Sequence, residues 1–412
     1  MSESSDEKIK LTEDLVEYII SMYHPIKKNI QNRVVSKFFN NAKIRSRDLD
    51  FSGIYSVNRS QSAVVRIIED IFNQHKGSEI NRFVLLLNHI GVEDKILSWI
   101  NMCIDKKIQE LILDFSRSKK VMEISIDFSA IETLTVLKLQ WCKFEIPTNN
   151  TPKGLRLLRS LALMKTKVRQ EIIDAIFSNC ILLETFELIK CGINGVLRIN
   201  AQNHKEFKSL VVCSLPKLLH IVVDAPTLEF FKYGGEAKKV YFLKVDALKE
   251  AQLYYNRNYN WRYYDLNNVV LVNMKAYTGV NVLTTTNIFL EALVERYEDG
   301  KMRKPIFLFW NLKEFHIHFK APTLCTLYDI VEFLKYCPNL EKISIDINNF
   351  TFIPGMFWSL HHKPTIENQK YQLDSIREVE INGYKGHWHE IEILHFFLQN
   401  ATCLKKLKLT KP

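Results

Sequence analysis

Residues 134–142 read LTVLKLQWC, residues 158–164 read LRSLALM, and residues 183–191 read LETFELIKC. In each, apolar side chains occupy the first, fourth and sixth positions, and the last two share one face of an extended chain because a strand alternates its faces. With Ile108, Leu111 and Leu113 ahead of them, these segments recur at spacings of 26, 24 and 25 residues. A strand so short cannot bury its apolar face alone, but a fixed period lets neighbouring copies cover one another. Fainter copies follow at Leu218/Ile221/Val223, Leu228/Phe231/Tyr233 and Leu248/Ala251/Leu253, and clear ones return at Leu312/Phe315/Ile317 and Leu340/Ile343/Ile345. Between strands, Val168 to Phe177 and Leu327 to Tyr336 place apolar residues three and four apart, which predicts helices.

This period and pattern are those of leucine-rich repeats. The predicted fold class is therefore α/β: a solenoid over residues 49–360 with a curved parallel sheet and helices on its outer side. The cysteines fit the scheme. Cys142 and Cys191 stand three residues after Leu139 and Leu188, a slot for a small residue whose polar atom bonds the turning backbone, and Cys180 and Cys337 precede Leu183 and Leu340 at matching places. Eight cysteines without a CxxC pair read as reduced thiols, and the four in these slots as buried side chains rather than metal ligands. The histidine pairs His316-x-His318, His361-His362 and His387-x-His389 lack cysteine or carboxylate partners at ligand spacing, so packing is the stronger reading.

Ahead of the repeats, residues 11–42 read LTEDLVEYIISMYHPIKKNIQNRVVSKFFNNA. Leu11, Leu15 and Ile19 recur every four residues, Thr12 can cap the helix, and Glu13 and Asp14 set negative charge in its first turn. Pro25 ends it. A second stripe then runs through Ile26, Ile30, Val34 and Phe38. Two helices this small need each other or a partner to be stable. Periodicity alone allows either a docking module at residues 9–48, behind an acidic tail at 1–8, or a helical cap on the larger domain.

At the other end, residues 375–409 read SIREVEINGYKGHWHEIEILHFFLQNATCLKKLKL. Ile376, Val379 and Ile381 predict a strand, Ile391, Leu394, His395 and Leu398 a helical stripe, and Leu404, Leu407 and Leu409 a closing strand. This block, set at residues 364–412, supplies the terminal unit that an open repeat core requires.

Residue by residue, the N-terminal segment resembles the plant F-box: Leu11, Asp14, Leu15, Ile19, Ile20, Ser21, Pro25, Ile26, Lys27, Val34, Val35, Ser36 and Lys37 follow its pattern in order. Thr12 stands where that pattern has proline, and Phe38-Phe39 replace its basic-aromatic pair. The C-terminal block resembles the FBD domain through Val379, Glu380, Ile381, Gly386, Leu394, Phe397, Leu398, Asn400, Ala401, Leu404, Lys405 and Lys406. Together with the repeats, the chain is similar to plant F-box/LRR/FBD proteins. That resemblance implies a substrate-recognition subunit of an SCF-type (Skp-cullin-F-box) ubiquitin ligase, without catalytic residues or cofactor of its own. Its F-box would dock on a Skp-type adaptor and cullin scaffold through Leu11, Leu15, Ile19, Pro25, Ile26, Val34 and Val35, and its repeats would hold the target. The alternative is a non-ligase interaction scaffold with a degenerate F-box.

The segment least like the family is YYNRNYNWRYYDLNN, residues 254–268. Its aromatic and arginine side chains suit a binding hot spot, which nominates Tyr254, Tyr255, Arg257, Tyr259, Trp261, Arg262 and Tyr263 for partner recognition. A strand pair packed on neighbouring repeats is the plainer reading. The net charge of +10 is spread along the chain, with local clusters at Lys153 to Arg169, Lys238-Lys239 and Lys301 to Lys304, and no RNA-recognition motif accompanies it, so a nucleic-acid role is disfavoured. No GxGxxG, GxxxxGK[ST], GxSxG or HExxH occurs, which leaves an enzyme reading without a reacting centre. The polar start MSESSDEK and the lack of a long apolar run predict a nuclear or cytoplasmic protein, monomeric within its complex, whose Asn-x-Ser/Thr triplets stay unglycosylated.

Overall fold

Stacked leucines organise the protein, as its computed structural model shows. The structure describes residues 46–53, 60–123, 131–146, 154–256, 269–270, 272, 274, 276–293, 308–323, 325–356 and 358–412. The F-box-like segment, with Leu11, Leu15, Ile19, Pro25, Ile26, Val34 and Val35, lies outside the described residues. The chain divides into two compact units, Met1–Leu183 and Glu184–Pro412.

In the first unit, strands β1 (Asp48–Asp50), β2 (Arg82–Leu86), β3 (Glu110–Asp114), β4 (Val136–Gln140) and β5 (Ser160–Met164) pair in parallel and in chain order. Register aligns Leu49, Phe83, Leu111, Leu137 and Leu161 in one row, all fully buried. A second row holds Leu85, Leu113, Leu139 and Leu163. Burying each such side chain is worth about 1.5–3 kcal/mol, so two unbroken rows hold these strands together. Helices α1 (Gln61–Gln74), α2 (Glu93–Asp105) and α3 (Gln170–Asn179) occupy longer return segments. Ser60 caps α1 by accepting from the Ala63 amide at 3.3 Å, and Phe72 of α1 stacks on Trp99 of α2 with centroids 6.2 Å apart.

The cysteine slots are filled as the spacing predicts. Trp141 and Lys190, the residues just after a strand, have φ of 62° and 55°. The thiol following each reaches back across that turn: Cys142 to the Gln140 carbonyl at 3.4 Å, Cys191 to the Ile189 carbonyl at 3.6 Å. Burial pushes the Cys180 thiol up to about 12 and the Cys337 thiol well above its ordinary value.

In the second unit, β6 (Thr185–Ile189), β8 (Ser209–Cys213), β10 (Phe230–Glu236), β12 (Glu250–Asn256), β13 (Val282–Thr286), β14 (Glu314–His318), β15 (Lys342–Asp346), β16 (Glu378–Asn382) and β17 (Lys406–Thr410) form a parallel sheet in that order. The C-terminal block thus adds two further strands to the array. A separate three-stranded parallel sheet joins β7 (Gly195–Asn200), β9 (Leu218–Asp224) and β11 (Lys239–Lys244). This corrects the copy at Leu218/Ile221/Val223, which is a return strand and not a member of the main row. Shorter repeats accompany it: main-row residues Phe186, Leu210, Phe231 and Ala251 are closely spaced, and the returns between them include the strands β7, β9 and β11. Where the spacing widens, from Ala251 through Leu283, Phe315, Ile343 and Val379 to Leu407, helices appear: α4 (Asn287–Leu293), α5 (Leu327–Leu334), α6 (Lys363–Glu367) after a π turn at Trp358–His362, and α7 (Trp388–Asn400).

The stripe expected on α7 is also corrected. Ile391, His395 and Leu398 face solvent, while His389, Glu390, Ile393, Phe396 and Phe397 are buried. Apolar residues line both sides of this helix, so periodicity alone could not choose between them. The choice follows from Glu390, whose Oε2 accepts from the backbone amides of Lys385 at 2.8 Å, Gly386 at 2.9 Å and His387 at 3.3 Å, and so turns inward to cap the helix. No described helix is long and apolar enough to cross a membrane.

Candidate partner-binding face

Alternation in the second unit's main sheet sends one set of side chains into the core and leaves the other set half-buried on the opposite face. Register then decides which of these meet. Gly234 pairs with Tyr254, and Thr286, His318, Asp346, Asn382 and Thr410 pair in succession. Around this line a cluster forms from four repeats. The Lys232 ammonium lies 5.2 Å from the centroid of the Tyr254 ring, that ring is 5.5 Å from the His318 imidazole, and His318 Nδ1 sits 2.9 Å from Asp346 Oδ2. The Asp346 Oδ1 accepts from the backbone and side-chain nitrogens of Asn348 at 3.0 and 2.8 Å. Burial pushes Asp346 up, yet these hydrogen bonds and His318 together outweigh it and hold the carboxyl below its ordinary value.

Next to the cluster, His316 Nε2 lies 3.3 Å from Glu314, and burial lowers its pKa against that neighbour's pull. Burial, reinforced by Glu250, Cys213 and Asp346, raises the Tyr254 hydroxyl. Gly234 leaves a side-chain-free step between Cys213 and Tyr254, since a Cβ there would meet the Cys213 sulfur at 3.1 Å. Toward β17 the charges satisfy one another: Lys406 to Glu378 at 2.8 Å and Lys408 to Glu380 at 2.5 Å. Exposed pairs of this kind contribute about 0–1 kcal/mol, so they neutralise the surface more than they stabilise it. What this face offers a partner is an aromatic ring flanked by a cation, an imidazole and a carboxylate, a composition suited to protein recognition. Among the described residues no group of three or more His, Cys, Asp or Glu is placed to hold a metal.

Of the residues nominated from sequence, Tyr254 belongs to this cluster. Tyr255 points the other way: it is 1% exposed and packs on Tyr233 with centroids 5.9 Å apart, so it serves the core. Arg257, Tyr259, Trp261, Arg262 and Tyr263 lie outside the described residues. Sequence reasoning does not find Lys232, His318 and Asp346 as members of one site. A signal is there nonetheless: Tyr254, His318 and Asp346 each directly follow the sixth-position apolar residue of a repeat motif, Leu253, Ile317 and Ile345.

The family model of the At1g61320/AtMIF1 leucine-rich-repeat domain matches residues 71–411. Over its whole length the chain is 57% identical to the putative FBD-associated F-box protein At1g61330 of Arabidopsis thaliana, covering 93% of that protein. It is 56% identical to the FBD-associated F-box protein At1g61320 of the same plant, again over its whole length and covering 91% of the relative. A more distant relative, the putative F-box protein At3g29830 of Arabidopsis thaliana, shares 21% identity over 98% of this chain and 92% of its own length.

Proposed function

Because the chain belongs to the At1g61320/AtMIF1 leucine-rich-repeat family, whose relatives carry the F-box name, we propose that it is the non-catalytic substrate-recognition subunit of an SCF-type ubiquitin ligase. On this reading residues 11–42 dock on a Skp-type adaptor, and the sheet face around Tyr254 holds the target. Bond-making belongs to the conjugating enzyme. The receptor contributes effective concentration, holding a target lysine near the transfer site so that an encounter in solution becomes an intramolecular one. The observation that carries the target half is the cluster of Lys232, Tyr254, His318 and Asp346, gathered from separate repeats onto one half-buried face. Nucleus and cytoplasm are the proposed compartments.

Co-purification tests the adaptor half. The intact chain is expected to retain a Skp-type adaptor, and the double variant Leu15→Ala with Pro25→Ala is expected to lose it while the repeats stay folded. Departures from the F-box pattern at Thr12 and Phe38-Phe39 favour one rival, an interaction scaffold that has lost its ligase. Absence of adaptor from the intact chain establishes that rival, and equal retention by the double variant removes residues 11–42 from the interface.

A further inference from the structure

The three-stranded return sheet of the second unit buries one face, through Leu197, Ile199, Ile221, Val223 and Val240. Alternation turns Val196, Arg198, His220, Val222, Lys239 and Tyr241 the other way, where they are half-buried or exposed. Register lines these up: Val196, His220 and Lys239 form one row, and Arg198, Val222 and Tyr241 the next. The His220 imidazole meets the Tyr241 ring edge-on with centroids 5.4 Å apart, so the two rows make one continuous surface. Two irregularities put further apolar area into solvent beside it. Where the register shifts, β9 carries one residue more than β7, Leu219, and β11 one more than β9, Leu243. Bulges of this kind re-aim a side chain, and these two leucines are 67% and 63% exposed. Apolar side chains exposed together within a polar rim mark an interaction surface.

Charge selects the partner. On the three strands Arg198, Lys239 and Lys244 stand against Asp224, which is buried and accepts from Gln202. Lys238 pairs with Glu236 at 3.2 Å, whereas among the described residues Lys239 and Lys244 have no carboxylate within ion-pairing distance. The exposed Lys217 just before β9 and Asp246 just after β11 offset one another. The surplus is positive, so the face favours carboxylates. Its size favours a segment over a domain: strands about 4.8 Å apart and rows about 6.6 Å apart fit a few residues, far less than the roughly 800 Å² per side that a folded partner buries. Three cations also fall short of the cluster of about four to eight by which a surface holds anionic lipid. We propose that this face binds a short acidic segment of a partner protein, its carboxylates meeting Lys239 and Lys244 and one apolar side chain lying on Val222 and Tyr241. The face belongs to the return sheet, apart from the main-sheet cluster, and does not rest on the ligase reading.

Fluorescence anisotropy of the full chain with labelled peptides of about eight residues tests this. One peptide is built of glutamate and leucine, the second has lysine for glutamate, and the third has serine for leucine. The first is expected to bind saturably and more weakly as NaCl is added, with the other two at least about fivefold weaker. Lys239→Glu with Lys244→Glu should weaken the first peptide at least about fivefold, while the same charge change at Lys119 and Lys120 of the first unit should leave it unchanged. Should the sheet variant fail to fold, Tyr241→Ser takes its place. Absence of saturable binding by the first peptide overturns the proposal, as does equal binding of the lysine peptide. An equal loss in the first-unit variant also overturns it, because attraction to the net charge of the whole chain then suffices. Sedimentation with phosphatidylserine vesicles, without peptide binding, overturns it in favour of a membrane.

Discussion

Two buried imidazoles are held neutral by partners they cannot exchange. His75 Nε2 lies 2.9 Å from the Ser46 carbonyl, so it donates, and Nδ1 accepts from the Lys106 ammonium at 2.9 Å. In the second unit His389 Nε2 accepts the Leu327 amide at 3.1 Å, which assigns the ring proton to Nδ1, facing Glu392. Burial lowers both pKa values from 6.5, in His389 against the pull of Glu392. A base whose folded pKa is lowered contributes stability that is present above the unfolded value and lost as pH falls through the folded one. Urea midpoints are therefore expected to fall between about pH 7 and about pH 5, and His389→Gln to flatten that fall. Glycine gives a second residue-scale contrast. Gly383 has φ of +84°, and a Cβ there would stand 2.4 Å from the Asn348 Cα, whereas Gly386, at φ +80°, has nothing within 4 Å. Gly386→Ala should cost only the left-handed strain of about 1–2 kcal/mol. Gly383→Ala should cost more, because backbone must also move; equal midpoints for the two variants would refute the argument.

At the scale of elements, α5 is anchored by one ring. Phe333 contacts Phe315, Phe309 and Phe289 at centroid distances of 4.6, 5.2 and 5.8 Å, and is fully buried. Phe333→Ala should lower stability by about 3–5 kcal/mol in denaturant titrations. The corrected orientation of α7 makes a paired prediction: Ile393→Ala should cost about 2–5 kcal/mol, while Leu398→Ser should stay within about 0.5 kcal/mol. The reverse order would restore the stripe that periodicity suggests. Periodicity misleads here because the helix presents apolar residues on both sides, and the deciding interaction is a polar one, Glu390 turning inward to cap its own helix. Strands are far more legible than returns. A strand's two inward residues are local signals, but whether the segment behind it coils or extends depends on the space its repeat leaves.

Across the whole molecule, the proposed receptor function separates into two losses. Tyr254→Ala with His318→Ala should weaken target capture at least fivefold, more than about 1 kcal/mol, while adaptor co-purification is unchanged. Leu15→Ala with Pro25→Ala should do the opposite. Loss of both properties in either variant, measured by paired pull-downs, would mean that the two surfaces are not independent. The sequence by itself determined most of the repeat strands, though not β1, β2, β8 or β13, together with the cysteine slots behind them and the kinship of the chain, since each is written in spacings of a few residues or one repeat length. Only the tertiary structure decided which returns are strands, which face of α7 is buried, and that Lys232, Tyr254, His318 and Asp346 form one cluster. The reason is distance along the chain. Those four residues come from four strands, and only the parallel register that stacks the repeats brings their side chains together.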